Sequence, residues 1–141
     1  MLDLCSSLPN PDMTYVCYTN VSQTLAVLWR EDYTAVTGVC ESVPREWRRA
    51  CFEGVAASAF TLRSWDPRGI ADACHASKSL DTKYCIASMA HSFGMQDIPE
   101  RAKLVCDLAR DYEREECMRG LDDGARIAAE LAGRGPSESF S

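Results

Sequence analysis

The sequence has no long apolar run. Its longest apolar stretch lies within residues 25–29, far short of the roughly 20 residues that a transmembrane helix needs. The first residues, MLDLC, also lack the basic start and the apolar core of a secretory signal peptide. We therefore expect no membrane insertion, and the chain shows no signal peptide of its own.

The sequence also lacks an excess of basic residues. It contains 15 Lys and Arg against 21 Asp and Glu, for a formal net charge of -6. Proteins that bind nucleic acid concentrate Lys and Arg on one face to contact phosphates. Here the two signs are mixed along the chain, which is typical of solvated helix faces. The composition predicts no nucleic-acid partner.

Motifs that would carry chemistry are missing as well. Zinc and iron–sulfur sites use closely spaced cysteines, as in CxxC, and redox-active thiols usually form the same motif; it does not occur. There is no phosphate-binding glycine loop and no G-x-S-x-G nucleophile motif. The sequence therefore predicts no metal, no cofactor and no catalytic residue, and it does not favour an enzyme.

Cysteine, by contrast, is abundant. The chain holds eight cysteines in 141 residues. An even number at this density is typical of structural disulfides, which the reducing cytosol rarely tolerates. The cysteine content therefore predicts an extracytoplasmic location, either periplasmic or secreted.

The cysteines are regularly spaced along the chain. They form four successive pairs with nearly the same spacing inside each pair, and the pairs themselves recur at a nearly constant interval. Such regularity indicates an internal repeat of about 34 residues, present four times. The eight positions are Cys5, Cys17, Cys40, Cys51, Cys74, Cys85, Cys106 and Cys117.

Alignment on the second cysteine of each pair extends the repeat. Apolar residues recur four and eight positions later, and positions 0, 4, 8 and 11 trace one face of an α-helix. This face predicts the buried side of a longer helix in every repeat. Position 8 is Leu25, Ala59, Phe93 and Ala125; position 11 is Leu28, Leu62, Gln96 and Ala128. Position 3 is mostly small, which lets a neighbouring helix come close.

Turn-forming residues separate the two cysteines of the pairs, so successive cysteines should lie on antiparallel helices. The predicted class is all-α: tandem helical hairpins in an α-solenoid-like array, within a single domain over residues 1–132. Residues 133–141 are predicted to form a disordered Gly/Ser-rich tail. The predicted helices span 11–29, 31–42, 44–63, 67–77, 81–95, 99–110 and 111–132. Two of their starts are marked by Asp66-Pro67 and Asp97-Ile98-Pro99, with Asp as the cap and Pro in the first turn.

The first repeat is incomplete. Cys5 leaves no room for the short helix that precedes each later first cysteine. The array begins in mid-repeat, which predicts that an N-terminal portion of the same protein is missing from this chain. An uncapped end of a repeat array should expose apolar surface.

Two disulfide pairings fit this pattern. The sequential one, which we favour, joins the two cysteines of each pair and leaves no free thiol. Each loop of about a dozen residues would then stabilise the fold by roughly 3 kcal/mol. The shifted alternative joins Cys17–Cys40, Cys51–Cys74 and Cys85–Cys106, and leaves Cys5 and Cys117 free. Helix geometry alone excludes neither.

Three residues are candidates for binding. His91 lies on the third long helix, where no other repeat has a histidine, so it is either a specialised groove residue or an ordinary surface residue. Trp47 and Trp65 fall near predicted helix ends. Aromatic side chains at such places either anchor a partner or fill gaps between hairpins.

A helical hairpin of about 34 residues with paired cysteines resembles the Sel1-like and TPR-like α-solenoids, and in particular the disulfide-stapled Sel1-like proteins that bacteria export. The resemblance covers residues 1–132 and implies a non-catalytic module that binds a protein or peptide. It transfers no functional residue. The alternatives are a structural or accessory segment of a larger extracytoplasmic protein, and an enzyme or ligand-binding domain that uses His91 in a helical groove.

Overall fold

A computed structural model describes residues 2–96 and 98–138, and these residues form helices with no strand. The all-α class is therefore confirmed. Short 3₁₀ turns at Arg45–Trp47 and Asp111–Glu113 lead into two of the helices. The helices are α1 Leu2–Ser6, α2 Pro11–Leu28, α3 Tyr33–Ser42, α4 Arg48–Leu62, α5 Pro67–Cys74, α6 Thr82–Met95, α7 Pro99–Leu108 and α8 Arg114–Glu138.

Three helices begin at polar caps. The side-chain oxygens of Asn10, Asp32 and Asp66 each accept a hydrogen bond from a backbone N–H two or three residues ahead, at 2.8–3.2 Å. Such caps satisfy N–H groups that have no partner within the helix. The predicted start at Asp66 and Pro67 is confirmed, whereas the predicted cap Asp97 lies outside the described residues.

Residues in the left-handed backbone conformation follow two of the long helices. Arg30 and Glu31 follow α2 with φ of 51° and 62°, and Ser64 and Trp65 follow α4 with φ of 52° and 60°. A left-handed residue after a helix usually is glycine, but both turns here use residues with side chains. The two turns lie at the same distance in sequence after Cys17 and Cys51, and each is followed by an aspartate that caps the next short helix.

The helix bounds differ most from the prediction at the two ends of the chain. Helix α1 forms around Cys5, where no helix was predicted; a very short helix suffices because it is tethered to α2. Helix α8 runs on to Glu138, into the segment predicted to be a disordered tail. Residues 139–141 of that tail lie outside the described residues.

The sequential disulfide pairing is confirmed. The bridges are Cys5–Cys17, Cys40–Cys51, Cys74–Cys85 and Cys106–Cys117, with Cα atoms 5.4–5.7 Å apart. No cysteine is free, so the shifted pairing is wrong. Each bridge joins a short helix to the long helix that follows it.

The helices pack mainly against near neighbours in the chain. The long helices contact one another in the order α2, α4, α6, α8, and the short helices contact one another in the order α3, α5, α7. None of the helices in the described ranges is long and apolar enough to cross a bilayer. The core draws on both the long and the short helices, and seven of the eight cysteines are buried in it.

The predicted buried face of the long helices is confirmed in part. At position 8, Leu25, Ala59 and Phe93 are buried, but Ala125 is exposed. At position 11 the prediction is wrong for Leu28, which is 64% exposed. Leu28 is exposed because it is the last residue of α2, where the chain already turns away from its neighbours. Ala125 is exposed because α8 has no further long helix against its outer side.

Glycine sets how closely the long helices approach. A Cβ atom at Gly54 would overlap the Ser22 Oγ and the carbonyl oxygen of Thr19 on α2. A Cβ at Gly120 would likewise overlap the carbonyl oxygen of Ala87 on α6. Both glycines occupy position 3 of the repeat, so the expectation that a small residue there permits close packing is confirmed for α4 and α8.

Candidate binding groove

A groove of about 670 Å³ runs along the surface of α4, α6 and α8. Its floor consists of small residues, Ala87 and Ser88 on α6 and Gly120 on α8. The floor is low because Gly120 lets the backbone of α8 approach that of α6. Longer polar side chains rise on both sides of it.

His91 lies in this groove, one turn beyond Ser88 on α6. Its Nε2 atom is 3.2 Å from the Oδ2 atom of Asp123 on α8, and the imidazole is 33% exposed. A carboxylate at this distance fixes the orientation of the ring. The structure thus places His91 in the groove and gives it an acidic partner from the next long helix.

The α8 side of the groove consists of paired charges. Arg126 donates to Asp123 at 2.5 Å and to Glu130 at 2.9 Å. The hydrogen bond from Arg126 and, to a smaller extent, the nearby charges hold the pKa of Asp123 below its usual value. Arg119 pairs in the same way with Glu115 and Glu116 at 2.6 and 3.0 Å. These exposed pairs act as a polar rim and contribute little to stability.

The opposite side combines aromatic and charged groups. The guanidinium of Arg49 lies 5.2 Å from the centre of the Tyr84 ring, and Arg49 also pairs with Glu53 at 3.4 Å. The hydroxyl of Tyr15 on α2 donates to Glu53. Burial of Tyr15, together with this bond and the charge of Glu53, raises the pKa of the tyrosine to about 12. Tyr15 therefore stays neutral and anchors Glu53 at the rim.

The two candidate tryptophans do not line the groove. Trp47 stacks on Tyr18 of α2, with ring centroids 6.1 Å apart. Trp65 contacts Phe60 at 4.6 Å and Phe93 at 5.7 Å. Both indoles are half-buried between helices, so the structure places them in gaps between hairpins, and His91 alone of the three candidates lies in the groove.

A second polar cluster is buried between α5, α6 and the turn before α8. The Glu113 side chain is fully buried and accepts from Thr82 Oγ1 at 2.5 Å and from the backbone N–H of Arg110 at 2.7 Å. Its Oε1 atom also lies 2.7 Å from His75 Nε2. Burial raises the pKa of Glu113, but the bonds from His75, Thr82 and Arg110 outweigh it and lower the pKa below its usual value.

Arg110 extends this cluster across the same boundary. Its guanidinium donates to the carbonyl oxygens of Ser77 at 2.9 Å and His75 at 3.1 Å. The hydroxyl of Ser77 in turn donates to Glu41 on α3. Since nearly every polar atom here is used in bonds between helices, the cluster joins structural units and presents no open face to a ligand.

Most groove residues were missed by sequence reasoning. Tyr84, Ser88 and His91 occupy positions -1, 3 and 6 of the repeat, and Glu116, Gly120 and Asp123 occupy the same positions one repeat later. Polar residues at these positions in adjacent copies were the available signal. The His91–Asp123 pair could not be predicted, because it depends on the crossing of α6 and α8.

No cluster of His, Cys, Asp and Glu suited to a metal ion occurs among the described residues. No protein-family model matches the chain, and no curated protein or solved structure is significantly similar to it. The groove therefore has to be interpreted from its own geometry and chemistry.

Proposed function

We propose that the chain is a non-catalytic binding and scaffolding module of an extracytoplasmic protein, and that it holds a peptide segment of a partner protein in the groove between α4, α6 and α8. The observation that carries this proposal is the groove itself. It has a floor of small residues, a half-buried tyrosine and histidine, and rims of paired charges.

The proposal includes a repeat array of the Sel1-like or TPR-like kind. Contacts mainly between near neighbours in the chain support it, because each unit of a solenoid contacts only the units beside it. The two left-handed turns and the two aspartate caps at equivalent positions of successive repeats also support it. In such an array the faces of the long helices form one continuous binding surface.

The chemistry of the groove fits a peptide better than a small apolar ligand. Its sides carry three arginines and four acidic residues, so a ligand there would meet hydrogen-bond donors and acceptors of both signs along its length. Tyr84 and the imidazole of His91 offer flat surfaces between them. Aromatic and arginine side chains are enriched where proteins contact one another.

An extracytoplasmic location belongs to the proposal because four disulfides persist only under oxidising conditions. Selection of peptides from a random library on the intact oxidised protein would test the groove. Selected peptides should lose binding to Ser88→Arg, which fills the floor. They should keep binding to Gly38→Arg, since Gly38 on α3 faces open space away from the groove. Equal binding to both variants would exclude the groove.

A second candidate function rests on the His91–Asp123 pair. A carboxylate that orients a histidine is the arrangement used in general acid–base catalysis, and Ser88 lies one turn away. However, no hydrogen bond joins Ser88 to His91 in the part of the chain that the structure describes. Hydrolysis of ester or peptide substrates that disappears in His91→Ala but survives in Trp47→Phe would support an enzyme, whereas unchanged turnover would remove this candidate.

A further inference from the structure

The outer face of α2 carries an unusual pattern for an exposed helix. Among its 18 residues only Asp12 is charged. Met13, Val16 and Val27 are nevertheless 50%, 54% and 63% exposed. An exposed helix face normally carries many charged residues, so this face has the composition of a surface that is covered.

The same repeat positions are covered one unit later. Residues 47, 50 and 54 on the α4 side occupy the repeat positions of residues 13, 16 and 20. Trp47 stacks on Tyr18, Ala50 accepts a bond from Thr19, and Gly54 touches Ser22 and Thr19. The exposed face of α2 therefore holds the same repeat positions as the residues by which α4 packs against α2.

The exposed and half-buried residues of this face follow a heptad. Met13, Asn20 and Val27 fall at one heptad position, and Val16 and Gln23 fall at the other, as in the seam of a coiled coil. A polar residue in the middle of such a seam fixes the register and the number of helices. An apolar hollow of about 430 Å³ beside Leu8, Met13 and Val16 widens the seam at its N-terminal end.

We propose that this face binds a second copy of the chain, α2 against α2, around a two-fold axis. In an antiparallel pair, Val16 lies opposite Val27 of the second copy. Asn20 lies opposite Gln23 of the second copy. The two-fold axis generates each of these contacts twice. Apolar groups then meet apolar groups, and amides meet amides that can exchange hydrogen bonds.

Charge favours this symmetric pairing over a head-to-tail stack. At the other end of the fold, the exposed side of α8 carries the ion pairs of Arg119 and Arg126. Covering them with the apolar face of α2 would strip these charges of water at a large cost. A two-fold pair instead buries only the seam and closes on itself. No α2 residue lines the groove of α4, α6 and α8, so the dimer is independent of the proposed function.

Sedimentation velocity of the oxidised chain over a wide concentration series tests the dimer. The wild type should pass from monomer to dimer as concentration rises. Val16→Glu and Asn20→Glu should remain monomeric, because each places two carboxylates in the seam. Leu80→Glu, at a residue 67% exposed outside α2, should dimerise like the wild type. Circular dichroism would check that each variant is folded.

A wild type that stays monomeric at all concentrations would overturn the proposal, and the face would then belong to a different partner. Open chains larger than a dimer would also overturn it, because they require a head-to-tail contact. A dimer that persists in both seam variants would place the interface elsewhere.

Discussion

The imidazole of His75 lies 2.7 Å from the fully buried carboxyl group of Glu113, although the two are far apart in sequence. His75 ends α5, while Glu113 belongs to the turn that leads into α8. Thr82 at the start of α6 supplies a further bond to the same carboxylate. Three structural elements therefore meet at one acidic group, and its ionisation should control their packing.

Stability should fall in acid through Glu113. Its pKa is lowered in the folded chain, so below about pH 4.5 the unfolded chain binds more protons than the folded one. The stabilisation is complete above the unfolded pKa and is lost as pH falls through the folded pKa. Glu113→Gln should cost roughly 1–3 kcal/mol at neutral pH and flatten the acid side of the stability curve, measured by urea unfolding at several pH values.

Asp111→Asn is the matched control for this prediction. Asp111 belongs to the same 3₁₀ turn, but its side chain is 97% exposed. The variant should keep the acid dependence of the wild type. An undiminished acid dependence in Glu113→Gln would mean that other carboxylates govern unfolding in acid.

Gly54→Ala should destabilise the fold. The added methyl group would overlap the backbone of α2 at Thr19, and crowding of a packed interior costs roughly 1–3 kcal/mol. Gly38→Ala serves as the control because its Cβ meets nothing within 4 Å. That change should stabilise α3 by roughly 0.4–1 kcal/mol. Denaturant midpoints would measure both, and equal midpoints would contradict the close approach of α2 and α4.

Trp65→Ala should act on stability and leave binding in the groove unchanged. The indole contacts Phe60 and Phe93, so its removal opens a cavity that costs about 3 kcal/mol. Trp29 is 41% exposed, and Trp29→Ala should change stability by about 0.5 kcal/mol or less. Thermal unfolding would compare them. A selected peptide that loses affinity for folded Trp65→Ala would show that Trp65 belongs to the binding surface.

The Cys5–Cys17 bridge should be the first to open under reducing conditions. Cys17 is partly exposed, whereas the other cysteines are buried, and attack on a disulfide requires access to a sulfur atom. Graded reduction followed by alkylation and mass spectrometry should label Cys5 and Cys17 before the others. Helicity should change little at that stage, because α1 is very short. Early labelling of Cys74 and Cys85 would contradict this order.

The sequence predicted much of the fold because the strongest signals are local. Cysteine spacing, Asp66 before Pro67 and the apolar period gave the helices and the favoured bridges. The exposed position of Leu28 and the end of α8 were not predicted, because both depend on where the neighbouring helices end.

The candidate site was less accessible to prediction. His91 was identified as unusual, but its partner Asp123 lies on another helix, far away in the sequence. Trp47 and Trp65 could equally have faced solvent, since their burial is set by the angle between successive hairpins. Side-chain type and spacing do not determine that angle.

The sequential bridges also determine how the chain would respond to force. Each one closes only a short segment between neighbouring helices, and no bridge ties distant parts together. In an oxidised chain under tension, the segments between the disulfide loops should therefore extend, whereas each closed loop withholds about 30 Å of length. The cross-links protect each pair of neighbouring helices separately and leave the chain free to lengthen between them.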